Sequence, residues 1–337
     1  MTNDVMTAVV NGLGLKMNLR MMLSTVLGTV LKTVLRATLK TGWKTGPNSV
    51  HSGVPRFGAL LGLGAAGMIL CLPTISLCES AQLATSLPQL ELVLIPPGTF
   101  LMGSPDTEWG HRPEEQQRQV TLSHSFYLAR TEVTQRQWHI VMGSNPSYLY
   151  DCPDCPVENV SWYDAIEFCN KLSAMENLLQ SYTVVDNKVN WNDSANGYRL
   201  PTEAEWEYSC RAGTSTPFNT GHCLSASDAN FNGYLHPQNC PLGLSREQVI
   251  DVGSFEPNAW GIFDMHGNVA EWCWDWVSLP TSDPATDPRG PEHGELKVVR
   301  GGNYAKGPHA CRSACRMVND PGQRNPSLGL RLARSAP

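Results

Sequence analysis

Three stretches of the chain show the apolar spacing of amphipathic helices. The first follows Thr134 and carries Trp138. The second is capped by Ser161. The third opens with the capping box Thr-Glu-Ala-Glu at Thr202 and ends before Gly213. Each is therefore expected to cover one face of a core.

Short apolar runs separated by turn residues predict strands. Residues 90–95 and 99–104 flank a Pro-Pro-Gly turn as two strands about a turn would, and further runs lie at 120–122 and 126–129. From Gly213 onward, Gly, Pro, Asn, Asp and Trp dominate and periodic runs are few, so little regular structure is expected there. Loops this long need cross-links, metals or buried aromatic residues to be stable. Because no repeat and no linker interrupts this part, the pattern predicts one domain.

The basic N-terminal segment, residues 1–80, is interpreted as targeting sequence ahead of a domain at 81–337. Its uncharged apolar run over 58–77 has a basic flank, and small or polar residues follow Pro73. These are the parts of a secretory signal. An uncleaved anchor is the alternative, because the run approaches spanning length, although Pro73 and several glycines weaken it. The sequence thus predicts an exported protein, periplasmic or extracellular, that meets a membrane only through this leader.

Charge separates the leader from the rest of the chain. Residues 1–80 hold seven basic and two acidic residues, so 18 basic and 29 acidic residues remain and the net charge is near −11. A nucleic-acid-binding surface needs clustered positive charge. Nucleic acid is therefore excluded as a partner, whereas cation binding agrees with this balance.

Nine of the eleven cysteines lie beyond the leader, which fits an oxidising compartment. Cys152-Pro153-Asp154-Cys155 has the spacing of a redox pair or of half a zinc site. No second such pair and no histidine pair at ligand spacing accompanies it, so a local disulfide is the preferred interpretation. Because nine is odd, at least one thiol is expected to stay unpaired.

A series of short motifs follows in order across nearly the whole span after residue 90. They are Ile95–Ser104, Glu132–Thr134, Pro156–Trp162, Arg199–Tyr208, Gly267–Trp272, Arg300–Gly302 and Gly329–Arg331. Together they resemble the formylglycine-generating enzyme family, also called the sulfatase-modifying factor family. The resemblance implies an irregular α+β fold with little regular secondary structure, related to C-type lectin domains.

The resemblance also implies a chemistry. Family members with oxidase activity convert a cysteine of a sulfatase to formylglycine, using oxygen and a copper ion held by two cysteines, and they bind calcium. A protein substrate or ligand, with a sulfatase as the candidate, is therefore expected.

The family's calcium site falls on the segment from Asp264 to Glu271. The implied ligands are the side-chain oxygens of Asp264 and Glu271 and the backbone carbonyls of Gly267 and Val269. Such an all-oxygen shell suits calcium. Without an ion, the segment would be a glycine turn with two solvated carboxylates. A second family calcium site is matched only at Asn230 and Phe231.

The family's two copper cysteines fall on Lys306 and Cys311. Copper(I) prefers soft thiolate ligands, and an ammonium group cannot replace one. Cys315 is the candidate substitute, because its spacing from Cys311 places both on one face of a helical turn. Either cysteine would otherwise form a structural disulfide or a buried thiol. Cys311 and Cys315 are thus the candidate catalytic residues, with altered copper chemistry.

Whether the chain is an enzyme stays open at this point. One hypothesis is an oxidase of the formylglycine-generating type that acts on a sulfatase-type protein. The other is a non-catalytic, calcium-stabilised module that binds a protein or a glycan through the loops at 303–310, where Lys306 is an ordinary contact residue. A partner or maturation factor for another exported enzyme is a third alternative.

Overall fold

The computed structural model describes residues 89–336, apart from residues 187, 236–238, 242 and 280. The predicted leader at 1–80, with its apolar run at 58–77, lies outside the described residues. Within the described part, no helix is both long enough and apolar enough to span a bilayer.

The three predicted helices are present, and the caps predicted at Ser161 and Thr202 are confirmed. They are α1 (Gln135–Met142), α2 (Trp162–Met175) and α3 (Glu203–Arg211). Thr134, Ser161 and Thr202 each accept a hydrogen bond from the third backbone N–H of the helix, and the side chain at that position bonds back to the cap. Each helix start therefore has its free N–H groups satisfied, as the sequence predicts.

The predicted strands are also present, but two of them pair differently. Strand β1 (Leu92–Ile95) pairs with β4 (Phe126–Ala129), whereas β2 (Gly98–Met102) pairs with β3 (Arg118–Leu122). The turn between β1 and β2 thus joins two sheets and is not a hairpin. The local turn does not decide the pairing, because β1 and β2 each form main-chain hydrogen bonds with a strand that lies further along the chain.

Three short strands follow in the chain, namely β5 (Tyr182–Val185), β6 (Lys188–Trp191) and β7 (Tyr198–Arg199).

The last described strand lies inside the first sheet. The first sheet has the order β1-β4-β13-β7, in which β13 is Ala333–Ser335. Strand β13 is antiparallel to both of its neighbours and pairs Ala333 with Leu128. Segments from both ends of the domain therefore form one sheet.

The region after Gly213 contains more regular structure than its composition indicates. The described residues of the range 213–269 form loops, as expected, but a four-stranded sheet follows. Its strands are β8 (Ala270–Trp276), β10 (Lys297–Arg300), β11 (Met317–Asn319) and β12 (Leu328–Gly329), in the order β11-β10-β8-β12, while β9 (Ala285–Thr286) joins β3. Strand β12 is parallel to β8, and no local sequence pattern predicts this pairing. The architecture is the predicted irregular α+β fold.

The cysteine predictions are confirmed for the Cys-x-x-Cys loop. Disulfides join Cys152 to Cys155 and Cys223 to Cys240. Within the described residues the other cysteines are free and buried, namely Cys169, Cys210, Cys273, Cys311 and Cys315. Cys311 and Cys315 are therefore buried thiols and not a disulfide.

Candidate functional site

A cleft of about 620 Å³ opens over the second sheet. Its floor is apolar and includes side chains from each strand of that sheet, namely Ala270, Val299, Met317 and Leu328. Its lining also includes Lys306 and His309, together with Arg112, whose Nη1 is 3.9 Å from Glu114 Oε1, and Arg316, which is paired with Glu203. The cleft therefore combines an apolar base with the ammonium group of Lys306 and two arginines that already have carboxylate partners.

Buried arginines hold the segment 311–315, which lies between the cleft-lining residues Ala310 and Arg316. The Arg300 guanidinium is fully buried and donates to Glu207 and to the carbonyls of Ser313, Ala314 and Cys315. Arg312 forms a second buried ion pair, with Nη1 2.8 Å from Glu115 Oε2. Removal of a partner from such a pair leaves a charge unpaired in a medium of low dielectric constant. The backbone around residues 311–315 is thus fixed by charge.

The two candidate catalytic thiols are close in sequence but do not line the cleft. Cys311 packs in an apolar cluster with Phe218, Leu224, Ala229 and Phe231. Burial raises the pKa of the Cys311 thiol and also that of Cys315. Both groups are therefore neutral thiols in the metal-free protein at physiological pH.

Lys306 has the opposite environment. Its side chain is exposed at the cleft rim, while its carbonyl accepts a hydrogen bond from the Asn232 N–H at 2.8 Å. The backbone is thus held in place and the ammonium group is free to reach into the cleft. The position that the family resemblance matches to the first copper cysteine presents a positive charge to solvent.

A buried histidine, His266, forms a hydrogen bond with the backbone of Cys311. His266 Nδ1 donates to the Cys311 carbonyl at 2.7 Å, and Nε2 accepts from the Asn219 N–H at 3.1 Å. Burial lowers the pKa of His266 to about 4, because the charged imidazolium is poorly solvated there. The ring is therefore neutral and acts as a positioning residue for the 311 segment.

Protonation of His266 should destabilise the domain in acid. The folded pKa lies below the usual 6.5, so the stabilisation is complete above pH 6.5 and is lost as the pH falls towards 4. A shift of this size corresponds to about 3 kcal/mol. We expect the difference in unfolding free energy between the wild type and His266→Gln to shrink by that amount between pH 7 and pH 4. Urea titrations at several pH values measure it, and a constant difference would contradict the assignment.

The candidate calcium residues lie in an acidic cluster around one guanidinium. Glu271 is buried and accepts from Arg331 Nη2 at 2.7 Å and from Trp206 Nε1 at 2.7 Å. Asp264 accepts from the Gly253 N–H at 2.6 Å and lies against Glu132, whose pKa is raised well above its usual value by burial and by repulsion from Asp264. Three carboxyl groups thus lie around a single guanidinium, and the raised pKa of Glu132 favours its protonated form.

The backbone segment of the same cluster meets Asn230. Gly267 forms a bridge with Asn230, and the hydrogen bond from the Asn268 N–H to the Asn230 carbonyl is 2.7 Å long. The structure therefore brings Asn230 next to the first candidate set, although the family resemblance assigns it to a second site. Phe231 belongs to the apolar cluster around Cys311, and Val269 packs with Cys155.

The donor set of this cluster is of the all-oxygen kind that calcium prefers, although the carboxylate oxygens of Glu132, Asp264 and Glu271 do not all lie within 4.8 Å of one another. Among the described residues, Glu132 Oε2 and Asn230 Oδ1 are buried oxygens without a hydrogen-bond donor. An excess of carboxylates and two unsatisfied oxygens are the environment that a hard divalent cation relieves. Glu271 is already paired with Arg331, so Glu132 and Asp264 are the carboxylates with most remaining capacity.

Glu132 belongs to the motif Glu132–Thr134, but the sequence predicts no role for its carboxylate. Its buried carboxylate accepts a hydrogen bond from Asn268 Nδ2 at 3.1 Å. A glutamate directly before the apolar Val133 and the cap Thr134 was the available signal, since an acid in an apolar context needs a partner. The partner could not be identified, because Asp264 lies far along the chain.

Comparisons with known proteins agree with this architecture. A family model described as "Sulfatase-modifying factor enzyme 1-like domain" matches residues 79–336. The chaperone protein LppX of Paenibacillus barcinonensis is 36% identical over 242 residues, which cover 65% of this chain and 82% of LppX. A formylglycine-generating enzyme of Thermomonospora curvata is 30% identical over 294 residues, covering 72% of this chain and 92% of the enzyme.

A solved structure gives the same result for the fold. The structure of Treponema denticola variable protein 1 superposes with a TM-score of 0.64 at 32% identity, covering 74% of this chain and 98% of that protein. The chain therefore belongs to the sulfatase-modifying factor family, which includes the formylglycine-generating enzymes.

Proposed function

We propose that the chain is an exported, non-catalytic member of this family that binds a segment of a protein partner in the cleft. The observation that carries the proposal is Lys306. It stands at the first copper-cysteine position, is exposed at the rim of the cleft, and supplies a contact instead of a metal ligand.

The environment of the remaining thiols supports the same proposal. Oxidation through copper needs thiolates that reach both the metal and the substrate. Cys311 instead packs against Phe218 and Phe231, and Lys306 supplies no second thiolate. A binding cleft has no such requirement.

The chemistry of the cleft indicates the kind of segment that fits. An apolar floor favours an aliphatic or aromatic side chain, and the exposed ammonium group of Lys306 favours a carboxylate beside it. We therefore infer an extended segment with an apolar residue next to acidic residues as the ligand. The similar protein LppX is named a chaperone, and formylglycine-generating enzymes act on proteins. Both relatives therefore support a protein as the partner.

Calcium has a structural part in this proposal. The ion would bind at Glu132 and Asp264, next to Glu271 and the backbone of Gly267 and Val269. It would supply positive charge to a cluster in which acidic groups outnumber the single guanidinium. The same residues anchor the loops behind the cleft through Asn230 and Asn268. The ion would thus stabilise the frame that shapes the cleft.

Reversal of the charge at Lys306 should weaken binding. We expect Lys306→Glu to lower the affinity for short peptides with an apolar residue followed by glutamates by at least about tenfold, or about 1.4 kcal/mol. Fluorescence anisotropy with labelled peptides measures it. Lys188→Glu makes the same charge change on an exposed hairpin strand away from the cleft and should leave the affinity unchanged.

The oxidase hypothesis stays a prediction that a parallel assay addresses. A sulfatase peptide containing the target cysteine is incubated with the protein, copper and oxygen, and its mass is measured. Conversion of the cysteine to formylglycine would overturn the non-catalytic proposal. Equal binding of acidic and lysine-containing versions of the peptides above would overturn the inferred ligand chemistry.

A further inference from the structure

The Cys152–Cys155 loop has a carboxylate against its sulfur atoms. Asp251 Oδ1 lies 3.3 Å from Cys152 Sγ and 3.6 Å from Cys155 Sγ, and the three ligand atoms all lie within 4.8 Å of one another. Cys155 is buried, Cys152 is partly exposed and Asp251 is exposed, so the group is accessible from solvent on one side. These contacts are remote from the lining of the cleft.

The backbone of the loop is fixed by hydrogen bonds that do not involve the sulfur atoms. The first N–H groups of α1 donate to it, Gln135 to the Cys155 carbonyl at 2.9 Å and Arg136 to the Pro153 carbonyl at 2.9 Å. Val252, next to Asp251, donates to the Asp154 carbonyl at 3.0 Å. These bonds hold the backbone of residues 153–155 against α1 and next to Asp251, and opening the disulfide breaks none of them.

We propose that the reduced pair Cys152 and Cys155, together with Asp251, is a binding site for a zinc-class divalent ion. Two sulfur ligands at about 2.3 Å and one oxygen at about 2.1 Å around a tetrahedral ion place sulfur and oxygen about 3.6 Å apart. The observed distances of 3.3 and 3.6 Å match this spacing. The two sulfurs must move apart to about 3.8 Å after reduction, which side-chain rotation can provide.

Electrostatics favours either the disulfide or the metal-bound form. Two thiolates next to the Asp251 carboxylate would repel one another, since the nearby Arg136 is already paired with Asp154 at 3.1 Å. A divalent cation removes this repulsion and binds both thiolates. The disulfide is the form for oxidising conditions and the metal site the form for reducing ones.

The conversion balances in atoms and electrons. An external dithiol transfers two electrons and two protons to the Cys152–Cys155 bond and itself becomes a disulfide, which leaves two protein thiols. The metal ion then displaces the two thiol protons, which are released to solvent. One S–S bond is broken, two metal–sulfur bonds form, and the fourth metal position stays open to water.

Cobalt(II) is a suitable probe, because its thiolate complexes absorb light. The protein is reduced with a dithiol, freed of reductant without oxygen, and titrated with cobalt chloride. We expect one equivalent to bind with a thiolate-to-cobalt charge-transfer band in the reduced protein and none in the oxidised protein. Zinc should displace the cobalt and should protect Cys152 and Cys155 from alkylation, as read by mass spectrometry.

Matched variants assign the signal to this loop. Cys223→Ser/Cys240→Ser removes the other disulfide and should keep the band, whereas Cys152→Ser/Cys155→Ser should abolish it. Asp251→Asn should weaken binding at least about tenfold. The band in the Cys152→Ser/Cys155→Ser variant, its absence from reduced wild type, or loss of the tryptophan near-ultraviolet circular dichroism on reduction would each overturn the proposal.

Discussion

Replacement of Arg331 by methionine should lower the free energy of unfolding by about 3–5 kcal/mol when calcium is chelated. Arg331 is fully buried, and its guanidinium is 2.7 Å from Glu271 while Glu132 and Asp264 lie close by. Its loss leaves three carboxylates without a cation. Urea unfolding followed by tryptophan fluorescence, with chelator in excess, measures the change.

Calcium should restore part of this loss, since the proposed ion supplies the missing charge to the same cluster. An ion present at 100 times its dissociation constant stabilises the folded state by about 2.7 kcal/mol. We therefore expect a larger calcium effect in Arg331→Met than in the wild type. An identical effect of calcium on both proteins would place the ion elsewhere or exclude it.

Replacement of Arg300 by methionine should be comparably destabilising, by about 3–5 kcal/mol, and should expose the candidate thiols. Arg300 satisfies the carbonyls of Ser313, Ala314 and Cys315 and pairs with Glu207. Without it, three buried carbonyls lose their donors and the segment opens locally. The reaction of Cys315 with a thiol reagent, followed in native buffer, should speed up at least about tenfold.

Arg211 provides the matched control. It pairs with the same Glu207, at 2.9 Å, but its other contacts are with the carbonyls of Gly103 and Thr216. Arg211→Met should therefore destabilise the domain without making Cys315 reactive. Equal thiol reactivity in the two variants would show that general instability, and not the contacts of Arg300, controls access.

The helices could be predicted because their signals are local. A capping residue and the side chain three positions later interact within one turn, so Ser161 and Asp164 suffice to fix a helix start. Strand pairing was less predictable, because β12 and β8 meet through contacts between distant parts of the chain. The turn after Ile95 has the composition of a hairpin, yet only the sheets decide what it connects.

The candidate site was predictable to the same degree. Asp264 and Glu271 fall in one short motif, whereas their neighbour Glu132 belongs to another, and only the fold brings them together. The surroundings of Cys311 had no signal at all. Phe218 and Phe231, which cover it, come from a segment without periodicity, where burial depends on loop paths that a sequence pattern does not encode.

The position of strand β13 has a consequence for how the protein is made. This strand lies inside the first sheet, between β4 and β7, although it is formed by residues 333–335. A chain emerging from the ribosome therefore carries β4 with an unpaired edge until almost the whole domain has been synthesised. Such long-range closure folds slowly, so the nascent chain stays incompletely folded for longer.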